Sequence, residues 1–140
     1  KVGLSGHAAI AVADERSATK ARDAALNAGA LVDIQITTLP SLPFGDASFD
    51  AIVIHGVGGL LSSMDQTTRT AMLREGYRVL RSGGRVVILE AGAQGGIRRL
   101  LRPRPGDAAA AVASLTTAGF RGSRVLAERQ GYRFIEGLKP

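Results

Sequence analysis

Two residues able to move protons stand directly after apolar runs: His55 follows Ala51, Ile52, Val53 and Ile54, and Glu90 follows Val86, Val87, Ile88 and Leu89. An imidazole titrates near neutrality, so His55 can act as a general base toward a hydroxyl or an amine while Glu90 orients a substrate. The plainer roles are a strand-end histidine bonded to backbone and a solvated glutamate. A third apolar run ends in the acidic pair Asp14 and Glu15. A carboxylate there offers several acceptors to two adjacent donors, or else caps the helix that follows. Gly3 and Gly6 allow backbone to approach a ligand closely, or simply make a turn. Arg98, Arg99, Arg102 and Arg104 can hold a carboxylate or phosphate in bidentate fashion, or form a solvated loop. The chain has no cysteine and two histidines outside any ligand cluster, which argues against a disulfide framework and a structural zinc site.

The elements that position these residues follow from periodicity. Residues 8–13 are an unbroken Ala, Ile and Val run, a short buried strand. Residues 16–28 place Ala18, Ala21, Ala25 and Ala28 on one side of a helix that Gly29 stops. Residues 31–36 alternate as a half-buried strand, and residues 37–48, with Pro40, Pro43, Gly45 and Asp46, make a loop. The run 51–54 suits an internal parallel strand, Gly56, Gly58 and Gly59 turn the chain, and Asp65 caps a helix running to about Leu80. Leu73, Tyr77 and Leu80 form its packing stripe. Ser82, Gly83 and Gly84 end that helix before a buried strand over 85–89. An Ala-rich helix over about 107–118 precedes two strands, 123–128 and 132–136, which Arg129, Gln130 and Gly131 join as a hairpin. Alternating strands and helices predict an α/β fold, a three-layer sandwich with a mainly parallel sheet and an antiparallel C-terminal hairpin strand. A ligand in such a fold sits beyond the carboxyl ends of the parallel strands, where Asp14, Glu15, His55 and Glu90 fall.

Residues 42–50, Leu-Pro-Phe-Gly-Asp-Ala-Ser-Phe-Asp, and 78–90, Arg-Val-Leu-Arg-Ser-Gly-Gly-Arg-Val-Val-Ile-Leu-Glu, carry a more specific signal. Together they closely resemble the second half of the class I S-adenosylmethionine-dependent methyltransferases, type 11-like, with their Rossmann-like sheet. The resemblance spans roughly residues 8–136. It implies S-adenosylmethionine as cofactor and methyl transfer to a small-molecule acceptor. It implies that Asp14 or Glu15, at the end of the family's second strand, accepts hydrogen bonds from the two ribose hydroxyls. Thr38 takes the place of the family's acidic contact to the adenine amino group, and Leu39 and Leu42 line an adenine slot or plug the core.

The family's Gly-rich loop between first strand and first helix is matched only by Gly3 and Gly6. Seven residues separate Gly6 from Asp14, too few for a helix and a strand, so the first strand and helix either precede Lys1 or have been lost in this lineage. Loss would leave unpaired strand edges, and a non-catalytic remnant serving as an assembly or regulatory module, self-associating as a homodimer, is the alternative reading. Another nucleotide-binding α/β protein fits the periodicity and explains neither motif.

A length of 140 residues with 45% hydrophobic content predicts a single domain over 1–140, which the resemblance makes methyltransferase-like and either truncated or reduced at its N-terminus. The net charge of +6 is nearly all arginine, spread along the chain, with Lys1, Lys20 and Lys139 the only lysines. That distribution favours a solvated basic surface over a nucleic-acid site. No apolar run approaches the ~20 residues of a membrane span, the start lacks a secretory signal, and the chain is expected in the cytoplasm; the lack of an initiating Met points to residues upstream of Lys1.

Overall fold

Asp14, two residues past the end of the first strand, caps the first helix. In the computed structural model its side chain accepts from Ser17 N at 2.8 Å and from Ser17 Oγ at 3.2 Å, which fixes the start of α1 (Glu15–Asn27) immediately after β1 (Ala9–Val12). The structure describes residues 6–56, 60, 61, 63–91 and 106–140, in two units, Lys1–Pro43 and Phe44–Pro140.

The first unit holds β1, α1 and β2 (Asp33–Ile36), with β1 and β2 paired in parallel. The second strand is shorter than the alternation over 31–36 predicts. Ala9 pairs with Asp33, so Leu31 has no residue opposite it and stands 97% exposed. Alternation marks a face only where a neighbouring strand provides one.

The second unit holds β3 (Phe49–His55), α2 (Gln66–Val79), β4 (Leu80–Ala91), α3 (Gly106–Thr117), β5 (Arg121–Arg129) and β6 (Tyr132–Leu138). Its sheet runs β3-β4-β6-β5, with β3 and β4 parallel and β6 antiparallel to both neighbours. The α/β class and the antiparallel C-terminal strands agree with the sequence reading. Asp65 caps α2 as expected, accepting from Thr68 N at 2.9 Å. Helix α2 stops at Val79 because Leu80 turns to extended backbone, ψ 144, and pairs with Phe49, so β4 begins five residues before the predicted strand. The hairpin turn is two residues, Gln130 and Gly131, both at positive φ (52 and 77) as a type I′ turn requires, and Arg129 belongs to β5.

The core of this unit lies between one sheet face, Ile54, Val86, Ile88 and Ile135, and the helix residues Met72, Leu73, Val79, Ala111 and Leu115. Fully burying each large aliphatic side chain contributes roughly 1.5–3 kcal/mol. Tyr77 of the predicted stripe is half-buried and meets Phe120 edge-on, ring centroids 5.2 Å apart.

Both signature motifs meet at the amino ends of β3 and β4. Arg78 Nη1 donates to Phe44 O at 2.9 Å, Ala47 N donates to Arg78 O at 3.0 Å, and Ser48 N donates to Val79 O at 2.8 Å. Gly83 adopts φ 78, and a Cβ on Gly84 would stand 2.8 Å from Arg81 O and 3.1 Å from Asp50 O, so the glycine pair is needed for two different reasons.

Candidate functional site

The parallel register of the first unit brings two of the predicted segments to one end. Val12 pairs with Ile36, and Thr37 N donates to Val12 O at 2.9 Å beyond the last pair. Asp14 and Glu15 therefore leave the carboxyl end of β1 beside the point where Thr38 and Leu39 leave that of β2.

Asp14 is exposed, and its carboxyl is held below its ordinary value of 3.8, first by the Ser17 backbone N–H and then by the Ser17 hydroxyl. It is thus ionised at neutral pH, and each oxygen accepts one bond from Ser17 with acceptor capacity left over. Glu15 Oε1 meets Arg22 Nη1 at 2.6 Å in an exposed pair. Thr38 is exposed and Leu39 partly buried; the neighbouring Thr37 hydroxyl donates to Ser41 O at 2.8 Å, closing the loop on itself. Gly6 is exposed in irregular backbone before β1, whereas Gly3 lies outside the described residues.

In the second unit His55 and Glu90 stand at the carboxyl ends of neighbouring parallel strands. His55 pairs with Leu89, one position before Glu90, so the two side chains leave opposite faces of the sheet. His55 is exposed and Glu90 partly buried. Neither can act on the same atom as the other unless the ligand spans the strand ends. The arginines at 98, 99, 102 and 104 and the glycines at 58, 59, 95 and 96 lie outside the described residues.

Two features around Glu90 were not read from the sequence. Gly56 is buried, its N–H donates to Leu89 O at 2.7 Å, and a Cβ there would meet Glu90 Cγ at 3.5 Å. A glycine directly after a strand-end histidine was the available signal. Arg133, 7% exposed, pairs across the ladder with Glu90 on one side and Glu128 on the other, and its Nε donates to Glu128 Oε1 at 2.6 Å. Cross-strand register carries that arrangement, and one sequence does not display it. Among the described residues no group of three or more His, Cys, Asp or Glu could hold a metal ion, and no helix is long and apolar enough to cross a membrane.

A family model described as a methyltransferase domain matches residues 5–88. The ubiquinone/menaquinone biosynthesis C-methyltransferase UbiE of Geotalea daltonii is 41% identical over 71 residues, covering 51% of this chain and 28% of the relative. UbiE of Hydrogenovibrio crunogenus is 32% identical over 92 residues, covering 64% and 34%. The chain thus spans about a third of the length of these curated relatives. A SAM-dependent methyltransferase from Aquifex aeolicus superimposes with TM-score 0.74 at 17% identity, over 96% of this chain and 70% of that one. PigF with SAH gives TM-score 0.71 at 20% identity, over 99% and 45%. At those identities the structures speak to the fold alone.

Proposed function

This chain belongs to the methyltransferase domain family, and we infer that it uses S-adenosylmethionine to methylate a small-molecule acceptor, as a single methyltransferase-like domain placed in the cytoplasm. The observation carrying this reading is the convergence of Asp14 and Glu15 with Thr38 and Leu39 at one end of the β1–β2 pair. The donor set suits a nucleoside: an ionised carboxylate for two adjacent ribose hydroxyls, a threonine hydroxyl for the adenine amino group, and a leucine against the ring. Gly6, and Gly3 before it, leave backbone free of Cβ for the cofactor's amino-acid end.

When bound, the cofactor supplies an electrophilic methyl group on a sulfonium that is a good leaving group, so positioning and desolvation carry most of the rate. His55 takes the proton of the acceptor hydroxyl or amine. Glu90, beside the Cβ-free Gly56, orients the acceptor from the other sheet face. Calorimetry with S-adenosylmethionine and S-adenosylhomocysteine tests the reading. Saturable binding weakened at least tenfold by Asp14→Ala or Glu15→Ala is expected; a folded chain that binds neither compound sinks it.

One observation favours the second reading, a non-catalytic remnant of the fold that self-associates. Among the described residues β5 and β3 are the outer strands of the sheet; β5 is blunted by two register shifts and by Arg121, Arg124, Glu128 and Arg129, whereas β3 is regular over 51–55 and leaves Val53 68% exposed. Sedimentation decides it: a dimer dispersed by Val53→Lys in a chain that binds no cofactor supports the remnant, and a monomer at all concentrations removes it.

A further inference from the structure

On the core face of the four-stranded sheet the apolar rows give way to a charged row at the carboxyl end of β4. Ile54, Ile88 and Ile135 are cross-strand neighbours, all buried. Two positions further along β4, and still on that face, stands Glu90, directly opposite Arg133 of β6. Glu128 of β5 pairs with Arg133 from its other side. A position that only packed would be apolar there, as Val86 and Ile88 are. The row instead sets two carboxylates about one guanidinium, at the strand end where such a sheet receives its ligand.

Arg133 is 7% exposed, so its charge needs partners in place of water. Its Nε donates to Glu128 Oε1 at 2.6 Å. A guanidinium carries its other N–H donors in a fixed fork, which suits a second carboxylate. Glu90 is placed for that role, since opposite charges facing each other across two strands attract. On the β3 side its neighbour is uncharged: a Cβ on Gly56 would stand 3.5 Å from Glu90 Cγ and 4.0 Å from Leu61 Cδ1. The nearby cation of α2, Arg69, is committed to carbonyls, Nε to Leu61 O at 2.9 Å and Nη2 to Met64 O at 3.1 Å.

We propose that Arg133 is the positioning residue for Glu90: shared between Glu128 and Glu90, it holds the Glu90 carboxylate in one orientation at the acceptor end of the sheet. This rests on the reading of Glu90 as the group that orients the acceptor. Arg133 acts through Glu90 and needs no contact with the acceptor itself.

Nitrogen-15 NMR of the Arg133 side chain, recorded on the whole chain, tests this from one side. Glu90→Gln is expected to speed hydrogen exchange of the Arg133 Nη protons at least about tenfold, the loss of one charge-assisted hydrogen bond, with the β4 and β6 amides unchanged. Side-chain couplings of Glu90 test it from the other. Glu90 is expected to hold one rotamer in the unaltered chain, to average among rotamers in Arg133→Gln, and to recover one rotamer in Arg133→Lys, which keeps the charge. If Arg133→Gln fails to fold, the Glu90→Gln exchange decides alone. Unchanged Nη exchange in folded Glu90→Gln would make Arg133 a staple to Glu128 only and overturn the proposal, with the methyl-transfer reading intact. A folded chain that binds no S-adenosylhomocysteine in calorimetry removes the acceptor, and overturns both.

Discussion

Arg78 reaches back across 32 positions of the chain to Asp46, Nη1 to Oδ1 at 2.7 Å, while Glu75 holds its Nε and Nη2 at 2.8 and 2.9 Å. That contact joins the two motifs by which the family is recognised, and it lies at the amino ends of β3 and β4. The candidate chemistry lies at the carboxyl ends. The most legible part of the sequence is therefore a structural clamp, which identifies a fold with more authority than a function.

The clamp draws its strength from the bond to Phe44 O and the Glu75 fork more than from Asp46, whose side chain is 79% exposed. Arg78→Met is expected to lower stability by about 1–2 kcal/mol and Asp46→Asn by less than about 0.5 kcal/mol, both read from urea unfolding. Equal losses would show that the exposed ion pair dominates.

Gly84→Ala should destabilise the chain by about 1–3 kcal/mol, because its Cβ would stand 2.8 Å from Arg81 O and 3.1 Å from Asp50 O, backbone oxygens with little freedom to retreat. Gly83→Ala, with open space around it and only its φ of 78 to strain, should cost about 1 kcal/mol. Thermal midpoints in that order support the division of labour, and the reverse order contradicts it.

Lys139 closes the end of α2, its Nζ donating to Tyr77 O at 2.8 Å and Leu80 O at 2.7 Å and lying 4.6 Å from the Tyr77 ring centroid. Lys139→Met is expected to remove about 1–2 kcal/mol. Urea unfolding that is unchanged in this variant would mean water satisfies those carbonyls equally well.

Acid should loosen the chain through its helix caps. Asp14 is held below 3.8 by Ser17, and Asp65 by the Thr68 hydroxyl and then its N–H. A carboxyl whose folded pKa is depressed stabilises the fold above its ordinary value and loses that contribution as pH falls through the lowered one. Thermal midpoints should therefore fall below pH 3.8. The double variant Asp14→Asn, Asp65→Asn keeps both caps without titrating and should show a shallower fall. An unchanged slope would assign acid sensitivity to other carboxylates.

What the sequence disclosed was local. Apolar runs marked β1, β3 and β4, Asp65 marked the start of α2, and Gly131 marked the hairpin, because each signal is complete within a few residues. Long-range pairing was not visible. Leu31 reads as strand until Ala9 is seen to pair with Asp33, and His55 and Glu90 read as partners until the pairing of His55 with Leu89 sets them on opposite faces. Lys139 carried no signal at all, since its acceptors lie 59 and 62 positions away.

Backbone NMR shifts of the chain titrated with S-adenosylhomocysteine bear on whether the β1–β2 strand ends hold the cofactor. Saturable shifts are expected at Gly6, Asp14, Glu15, Thr38 and Leu39. Shifts confined to Phe44–Pro140, or none in a folded sample, would contradict it.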